Sequence, residues 1–516
     1  MSPFAERRIG KDIVVALSAL LVAALATPAP ADRLDTRTQA GAGDPSGPVR
    51  FGILEPAGGA ACQRWVATPP RGSDENPGTR SEPWATLEHA AATVPDRRCT
   101  VWFEDGTYEG GQDVERRFDT RTVFRAVDPY RAELLGGRTV LDVSGARNVV
   151  FRGFRFRQTG PSTSSVLVYV SLSDGEFAER ITFQDNIFQD AYENDLLKLH
   201  DGTRHAVVRN NVFYNQGGGE EQIDVNGVDH VLIQGNLFFN DFGRSGRADT
   251  DLTQHHFITV KDSDGDSDGS LGSRHVSIRR NVFLNWEGAA SEGFLNVGND
   301  GKSYYEAVHV RIENNLLVGN AHNDMDSALS VAGAKDVTFI NNTIVGDLPT
   351  QAYAFRVYIK GSNPRNADIL FSNNIWSDPT GTMGEDLSGD EGEFSGGDAD
   401  ATASLTLDNN LYWNGGAPIP GGDVVSPRTD DGRRVVGDPQ LNTDQAAVVV
   451  PYWTGSSFLS GGQSIRSEFL RLVEELGSIP GTSRAVGRSL RSLAPPDDIL
   501  GSSRDARPDL GAFEAD

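Results

Sequence analysis

The chain has 516 residues, of which 38% are hydrophobic and 23% charged, and it contains 57 glycines. These values suit a soluble, turn-rich β protein better than a disordered chain. The formal net charge of −25 argues against nucleic acid or an anionic membrane as a partner of the surface as a whole. A polyanionic ligand would need locally clustered cations or a bridging divalent metal.

Residues 1–31 have the features of an export signal. Arg7, Arg8 and Lys11 precede an apolar run over 13–26, and an Ala-Pro-Ala sequence then offers small residues for cleavage. The run is short for a transmembrane helix, and no later segment approaches the required length. We therefore predict a secreted or cell-surface protein without membrane insertion after signal cleavage, with a retained N-terminal anchor as the alternative.

Residues 32–60 are rich in Gly, Pro and Ala, which indicates a linker. The two cysteines follow, and each begins a short β-like run: Cys62 in CQRWVA and Cys99 in CTVWFE. Parallel neighbours in register would bring the two sulfurs within bridging range, and export permits oxidation. A disulfide is favoured over a metal pair or a reactive thiol.

A short unit centred on asparagine recurs through much of the chain. It reads VVRNNVFYN around Asn211 and, 25 residues later, LIQGNLFFN around Asn236. The same unit returns around Asn186, Asn281, Asn315, Asn342, Asn374 and Asn410. Such repetition predicts a solenoid, in which no single copy could bury its own apolar face, with the asparagines stacked along one turn.

The spacing of the asparagines is irregular after Asn236, at 45, 34, 27 and 32 residues. Because an ordinary rung needs about 25 residues, the excess must form loops on one edge of the coil. The largest excess contains GRSGRADTDLTQHH and DSDGDSDGSLGS. Long loops on a rigid scaffold usually carry binding or specificity.

Both ends of the repeat region resemble those of a known superfamily. GSDENPGTRSEPWATLEHAAATV (72–94) predicts a turn and then a short helix, with Leu87, Ala90, Ala91 and Val94 at helical spacing. Set before Asn-centred repeats, it resembles the start of secreted right-handed parallel β-helix proteins of the pectate-lyase-like superfamily, where the helix covers the first rung. The ending DDILGSSRDARPDLGAFE is similar to their C-terminal signature, which closes the last rung.

This resemblance implies an all-β fold, a right-handed parallel β-helix (solenoid) over 61–444. An N-terminal capping helix and a C-terminal cap over 445–516 would cover its ends. The cap region contains the amphipathic segment IRSEFLRLVEELG.

One strand of each repeat can be aligned with its neighbours: LLKLH, QIDVN, FITVK, FLNVG, ALSVA and AFRVY. Apolar residues alternate inward, which leaves an outward column of Lys198, Asp224, Thr259, Asn296, Ser330 and Arg356. A second column beside it holds His200, Asn226, Lys261, Gly298, Ala332 and Tyr358. A saccharide groove and an ordinary solvated sheet face explain this polar mixture equally well.

Rung spacing sets expected distances along these columns. Rungs lie about 4.8 Å apart, so Lys198 and Asp224 would be neighbours, while Lys261 would be roughly 10 Å and Arg356 about 24 Å from Lys198. We assign substrate binding to one group of residues: Asn226, Lys261, Asn296, Arg356 and Tyr358.

Carboxylates gather before two of these strands: Glu193 and Asp195 before Lys198, and Glu220 and Glu221 before Asp224. Their mutual repulsion is costly without a cation, and Ca²⁺ takes oxygen ligands from flexible sites. We therefore predict calcium as a cofactor, held by these four carboxylates with help from Asp224.

The segment ENDLLK resembles the Glu-to-Lys strand of the chondroitinase B and alginate lyase family. The resemblance implies Lys198 as the Brønsted base and Glu193 as a calcium ligand. The match breaks at Asp224, where the family has its catalytic arginine. A calcium-dependent pectate lyase with a lysine base is the closer chemical analogue, and a solvated or Asp224-paired lysine is the alternative for Lys198.

Two further patterns carry weaker predictions. DSDGDSDG (262–269) has the alternating Asp and Gly of a calcium loop, with Asp262, Asp264 and Asp266 as ligands, but Ser273 replaces the expected glutamate at position twelve. A weak calcium site and a solvated acidic loop remain equally open. Four histidines sit six residues before a turn asparagine, and a turn preference is favoured over a zinc site for His205, His230, His275 and His309.

Three functions follow from these patterns. The first is an exported, calcium-dependent polysaccharide lyase cleaving a uronate-containing glycan by β-elimination, with Lys198, His200 and Asp224 as catalytic residues. The second is a glycoside hydrolase using Asp224 with Glu220 or Glu221. The third is a non-catalytic glycan-binding or adhesion protein, and in each case we expect a monomer with an acidic polysaccharide as partner.

Overall fold

The computed structural model of the chain describes residues 62–160, 165–247, 253–320, 323–346, 353–383, 394–397, 400–420, 431–442, 444 and 447–515. The predicted signal peptide (1–31) and linker (32–60) lie outside the described residues, so both stay predictions.

The described strands form three parallel sheets, and each strand pairs with its equivalent in the next turn of the coil. Sheet 1 has twelve strands: Gln63–Val66, Thr100–Phe103, Arg117–Ala126, Arg147–Arg152, Glu179–Gln184, Val207–Arg209, Asp229–Gln234, Ser273–Arg279, Ala307–Glu313, Ala334–Ile340, Ala367–Ser372 and Leu405–Asp408. Sheet 2 has ten: Gln112–Asp113, Leu141–Asp142, Val168–Val170, Leu197–Leu199, Ile223–Asn226, His256–Lys261, Gly293–Gly298, Ser327–Ala332, Phe355–Tyr358 and Ser395–Gly397. Sheet 3 has twelve: Gly106–Glu109, Ala132–Gly136, Arg155–Gln158, Ile187–Ala191, Val212–Gln216, Leu237–Phe239, Val282–Phe283, Leu316–Gly319, Thr343–Gly346, Ile375–Asp378, Leu411–Asn414 and Val435–Val436. This is the right-handed parallel β-helix that the sequence predicts.

The core lies inside the coil, where residues of the same type stack at equivalent positions of successive rungs. Phe188, Phe213, Phe238 and Phe283 form a continuous stack, with successive ring centroids 4.5, 5.1 and 4.8 Å apart. All four rings are fully buried. Alternation with period two decides which side chains enter this core, so a one-residue slip in any rung would expose its apolar set.

The predicted asparagine ladder is confirmed. The Oδ1 atom of Asn211 accepts hydrogen bonds from both the backbone N–H and the side-chain amide of Asn186, at 2.9 and 3.1 Å. Every later ladder asparagine repeats this pattern, and Asp431 ends it by accepting from Asn410 in the same way. These amides bind rung to rung, so their role is structural.

The N-terminal helix, Leu87–Thr93, covers the first rung with Leu87, Ala90 and Ala91 buried. Thr86 caps it by accepting a hydrogen bond from the His89 backbone N–H. Behind it, the predicted disulfide joins Cys62 and Cys99, whose Cα atoms lie 4.4 Å apart. The bridge forms because the strands after the two cysteines pair in parallel, Gln63 beside Thr100.

The C-terminal segment contains the helix Ile465–Leu472, which continues as a π-helix over Val473–Gly477. It packs along the outside of sheet 3. The physical reason is that sheet 3 is apolar on its outer face as well, at Val212, Leu237, Val282 and Leu316, all of which are fully buried in a cluster with this segment. Among the described residues, no helix is both long and apolar enough to cross a membrane.

Candidate active site

The outer face of sheet 2 presents the predicted columns. Lys198 pairs with Asp224, and the first column continues in register through Thr259, Asn296, Ser330 and Arg356. In the second column Asn226 pairs with Lys261, and Ala332 pairs with both Gly298 and Tyr358. The strand register inferred from the sequence is therefore confirmed.

Three carboxylates meet at one point of this face. Asp195 and Glu221 each precede a sheet 2 strand, and with Asp224 they offer oxygen atoms that all lie within 4.8 Å of one another. Asp195 and Asp224 are fully buried and Glu221 is 3% exposed. Asp195 accepts the Glu221 backbone N–H at 3.0 Å, and Glu221 accepts the Thr259 hydroxyl at 3.0 Å. One oxygen of each carboxylate, however, is buried without a hydrogen-bond partner.

Two lysines converge on this carboxylate triad. The Lys198 Nζ atom lies 2.6 Å from Asp224 Oδ2 and 3.6 Å from Asp195 Oδ2. The Lys261 Nζ atom lies 3.9 Å from the same Asp224 oxygen and 3.9 Å from Glu221 Oε1. The two ammonium groups are therefore closer than the roughly 10 Å expected from rung spacing, because long side chains lean toward a shared carboxylate.

Burial and charge act against each other at these groups. Burial alone would lower the pKa of Lys198, but Asp224 and Asp195 outweigh it and raise the pKa. Burial would raise the pKa of Asp224, but Lys261 and Lys198 outweigh it and lower the pKa. Burial and the neighbouring Asp224 charge raise the pKa of Asp195 well above its ordinary value. Two ammonium groups thus face three carboxyl groups, of which Asp195 is the one whose neutral form is favoured by burial and by the Asp224 charge.

The triad is a group of acidic oxygen atoms that could hold a metal ion, and oxygen ligands are of the kind that Ca²⁺ takes. One oxygen of each carboxylate lacks a hydrogen-bond partner, and of these Asp195 Oδ2 lies 3.6 Å from Lys198 Nζ. Of the five carboxylates predicted from the sequence, the structure brings Asp195, Glu221 and Asp224 together. Glu193 is exposed and Glu220 is half-buried, and both lie outside the triad. Burial, with a smaller contribution from the Glu221 charge, raises the pKa of Glu220 to about 7.

His200, predicted to be catalytic, lies at the end of the Lys198 strand. Its Nδ1 atom is 3.0 Å from Asp201 Oδ2 and 3.3 Å from the Tyr169 hydroxyl. Tyr169 pairs with Lys198 on the preceding rung and so extends the first column. The sequence interpretation missed this tyrosine, although the run SVLVYV has the alternation that would have revealed it.

The remaining predicted substrate-binding residues line the same face. Asn226 donates to Ser263 Oγ at 2.9 Å, and Asn296 is buried with its Oδ1 atom unpartnered. Farther along, the Arg356 guanidinium donates to Asp326 at 3.2 Å and lies 4.3 Å from the ring centroid of Tyr358. The face is therefore polar along its length with a cationic group toward each end, but the column residues between them, Thr259, Asn296 and Ser330, are buried.

Two other sequence motifs lie away from the triad. The rings of His205, His230, His275 and His309 stack along sheet 1 with centroids 4.5–5.1 Å apart. Each has a left-handed backbone conformation with φ of 53–59°, and His230, His275 and His309 lie within strands of sheet 1 rather than in turns.

The acidic loop differs in detail from its sequence assignment. Asp262, Asp264 and Asp268 all lie near Gly227, whereas Asp266 is exposed. The structure thus places Asp268, rather than Asp266, with the other two.

A second buried pair escaped the sequence interpretation. His256 Nε2 lies 3.3 Å from Glu292 Oε2 beside the triad strands. Burial lowers the pKa of His256 well below its ordinary value and raises the pKa of Glu292 to about 7. Burial thus favours the neutral form of both groups, and no sequence pattern marks them.

Glu292 predicts a pH dependence of stability. Because its pKa rises from 4.5 in the unfolded chain to about 7 in the folded protein, its contribution is fully present below pH 4.5 and is lost as the pH rises through about 7. Between these limits the free energy of unfolding should fall by about 1–2 kcal/mol more in wild type than in Glu292→Gln, after allowance for solvent screening. Urea unfolding at a series of pH values, with the exposed Glu109→Gln as control, measures this; parallel profiles for wild type and Glu292→Gln would contradict it.

Comparisons with known proteins identify related folds only. No protein-family model matches the chain, and no curated protein matches it in sequence. Among solved structures it is similar to XylC in complex with xylose, with 11% identity, TM-score 0.47, and coverage of 88% of this chain and 98% of that one. It is also similar to a glycoside hydrolase, with 10% identity, TM-score 0.46, and coverage of 69% of this chain and 96% of that one. A third similar structure is pectate lyase Pel9A, with 14% identity, TM-score 0.43, and coverage of 89% of this chain and 98% of that one. At such identities and TM-scores these likenesses carry no information about activity.

Proposed function

We propose that this protein is a polysaccharide lyase that cleaves a uronate-containing glycan by calcium-assisted β-elimination. The observation that supports this most strongly is the convergence of two lysines on a buried carboxylate triad, Asp195, Glu221 and Asp224, at the outer face of sheet 2.

An acidic glycan is the substrate that this face favours. The chain carries a net charge of −25, so a polyanion can bind only where cations are concentrated. Lys198, Lys261 and Arg356 lie on one sheet, and the distance from Lys198 to Arg356 is about 24 Å over five rungs. Each is paired with carboxylates, and a Ca²⁺ ion at the triad would add positive charge beside the two lysines. That length spans several sugar units, and Tyr358 lies beside Arg356, whereas Asn296 is buried between the cations.

The proposed chemistry needs a base, a proton donor and charge neutralisation. Ca²⁺ held by the triad would neutralise the uronate carboxylate and acidify the C5 proton. Lys198 is the group placed to accept that proton, since its side chain is 19% exposed whereas Asp224 is fully buried. It must first lose its own proton, and a Ca²⁺ ion held by Asp224 and Asp195 would offset the carboxylate charges that raise its pKa. Transfer of the C5 proton to Lys198 and breakage of the C4–O4 bond would form the C4–C5 double bond, and Lys261 is the ammonium group at hand to protonate the departing oxygen.

One observation favours glycoside hydrolysis as a second candidate. The pKa of Glu220 is raised to about 7, which suits a general acid. Its partner carboxylate would be Asp224 or Glu221, but these are 0% and 3% exposed. A base or nucleophile must reach water or the sugar, so their burial favours the lyase.

The products discriminate these activities. Purified protein incubated with a panel of polyuronates should produce the ultraviolet absorbance of unsaturated uronates with at least one substrate. A chelator should abolish the signal, and added Ca²⁺ should restore it. New reducing ends without that absorbance would instead indicate a hydrolase, and neither signal across the panel would leave a non-catalytic glycan-binding or adhesion protein.

A further inference from the structure

A second group of carboxylates lies at the other end of the same strands. Asp201 follows the strand Leu197–Leu199, and Asp262, Asp264 and Asp268 follow the strand His256–Lys261. We call these four residues the loop cluster. They belong to turns that leave sheet 2, and none of them is a member of the triad.

The loop cluster closes over two glycines of neighbouring rungs. A Cβ atom placed on Gly227 would lie 3.4 Å from Asp268 Oδ2, 3.5 Å from Asp264 Oδ1 and 3.8 Å from Asp262 Oδ1. One placed on Gly202 would lie 3.3 Å from the same Asp268 oxygen. Three carboxylate oxygens therefore surround one small space over Gly227, and the Phe177 ring closes the side next to Gly202. Asp201 approaches from the lower rung, with its oxygen within 4.8 Å of an Asp264 oxygen.

Asp268 is the member that points to a ligand. It is 6% exposed, and its Oδ1 atom accepts the Ser270 backbone N–H at 2.8 Å. Its Oδ2 atom, which faces the space over Gly227, is buried and has no hydrogen-bond partner. Leaving a buried carboxylate oxygen unsatisfied is costly. Asp262 is different, because backbone N–H groups of Asp264, Gly265 and Gly272 satisfy both of its oxygens.

No positive side chain compensates these charges within the described part of the chain. Asp262, Asp264 and Asp268 form no ion pair with a lysine or arginine there, and Lys261, although adjacent in sequence, is directed to Glu221 and Asp224. Like charges packed this closely repel, and a cation between them removes the repulsion.

We propose that the loop cluster binds a divalent metal ion, Ca²⁺, separate from the one proposed at the triad. All the donors are carboxylate oxygens, which suits a hard cation, and three of the four residues lie on one acidic loop, as the ligands of Ca²⁺ often do. The ion connects the loop after Lys261 to the turn after His200, and these two segments belong to different rungs of the coil.

Two contacts connect the proposed ion at the loop cluster to the candidate active site. Ser263, the residue after Asp262, donates its backbone N–H to Asn226 Oδ1 at 2.9 Å and accepts the Asn226 amide at 2.9 Å. On the lower rung, Asp201 holds the His200 ring through Nδ1 at 3.0 Å. The ion is thus placed to hold Asn226 and His200 in position without contacting a substrate.

Calcium stoichiometry tests the proposal. In equilibrium dialysis of the calcium-stripped full chain against radioactive Ca²⁺, the wild type should bind two ions and Asp268→Asn should bind one. Asp266→Asn is the matched control, because it makes the same chemical change at an exposed position of the same loop, and it should still bind two. Equal calcium binding by Asp268→Asn and Asp266→Asn would overturn the proposal.

Further variants separate this site from the triad and from folding defects. Asp224→Asn should remove the other ion and leave the loop ion bound. If wild type binds one ion, and that ion is lost in Asp224→Asn but kept in Asp268→Asn, the loop site is overturned and the triad site is not. If the single ion is instead lost in Asp268→Asn and kept in Asp224→Asn, the loop site is supported and the triad binds no ion. If Asp268→Asn fails to fold, Asp264→Asn replaces it in the same test, because Asp264 is exposed. In Asp264→Asn, Ca²⁺ should also raise Tm by less than it does in wild type.

Discussion

Replacing Lys198 by arginine is expected to reduce the rate of β-elimination by about 10²–10⁴-fold, the usual contribution of a general base. Arginine keeps the positive charge beside Asp224 and Asp195, so the buried ion pairs survive, but its guanidinium stays protonated and cannot accept the C5 proton. Initial rates of unsaturated-uronate formation at saturating substrate and Ca²⁺ measure this. Because the charge is retained, the loss should fall on kcat rather than on folding.

Two controls accompany the Lys198 variant. Lys335→Ala, at an exposed position on sheet 1, should leave the rate unchanged. Lys261→Ala should lower both substrate affinity and rate, since this residue supplies the second ammonium group. Full activity in Lys198→Arg would remove Lys198 as the base and, with it, the proposed reaction centre.

Replacing Asn281 by alanine is expected to lower the free energy of unfolding by about 3–5 kcal/mol, because several buried polar groups lose their partners at once. Asn281 Oδ1 accepts from the backbone N–H and the side chain of Asn236, at 2.9 and 3.0 Å. Its amide donates to the carbonyl of Ile233 at 3.1 Å and to Asn315 Oδ1 at 3.0 Å. All of these groups are inaccessible to water, so no solvent replaces the missing bonds.

Urea unfolding followed by circular dichroism measures the loss. The matched control is Asn442→Ala, an exposed asparagine that donates to the Glu475 carbonyl and accepts the Asp444 backbone N–H, for which about 0.5–1 kcal/mol is expected because water can replace both bonds. Equal losses in the two variants would show that the ladder does not bind the rungs together. A loss confined to the rungs around residue 281 would indicate that the coil unfolds in segments, as repeat proteins can.

At the candidate site, the alternation of apolar and polar residues predicts the strand register but not which carboxylates meet. The pairing of Lys198 with Asp224 follows from alternation, since a shift by one residue would turn every apolar side chain of the rung outward. The choice among neighbouring carboxylates does not follow from any period. Glu221 turns into the triad and Glu220 stays half-buried, although the two are adjacent before the same strand.

The sequence by itself determined the coil: its repeated rungs, the inward and outward positions of sheet 2, the asparagine ladder and the disulfide. These features arise from short-range periodicity and from stacking of identical units, both of which are visible in one dimension. Only the tertiary structure decided that Lys261 reaches Asp224, that Asp268 replaces Asp266 in the loop cluster, that His256 meets Glu292, and that the C-terminal segment covers sheet 3. Each of these contacts depends on how far a long side chain reaches or on a loop that interrupts the repeat. Neither recurs at a regular spacing, so no sequence pattern predicts them.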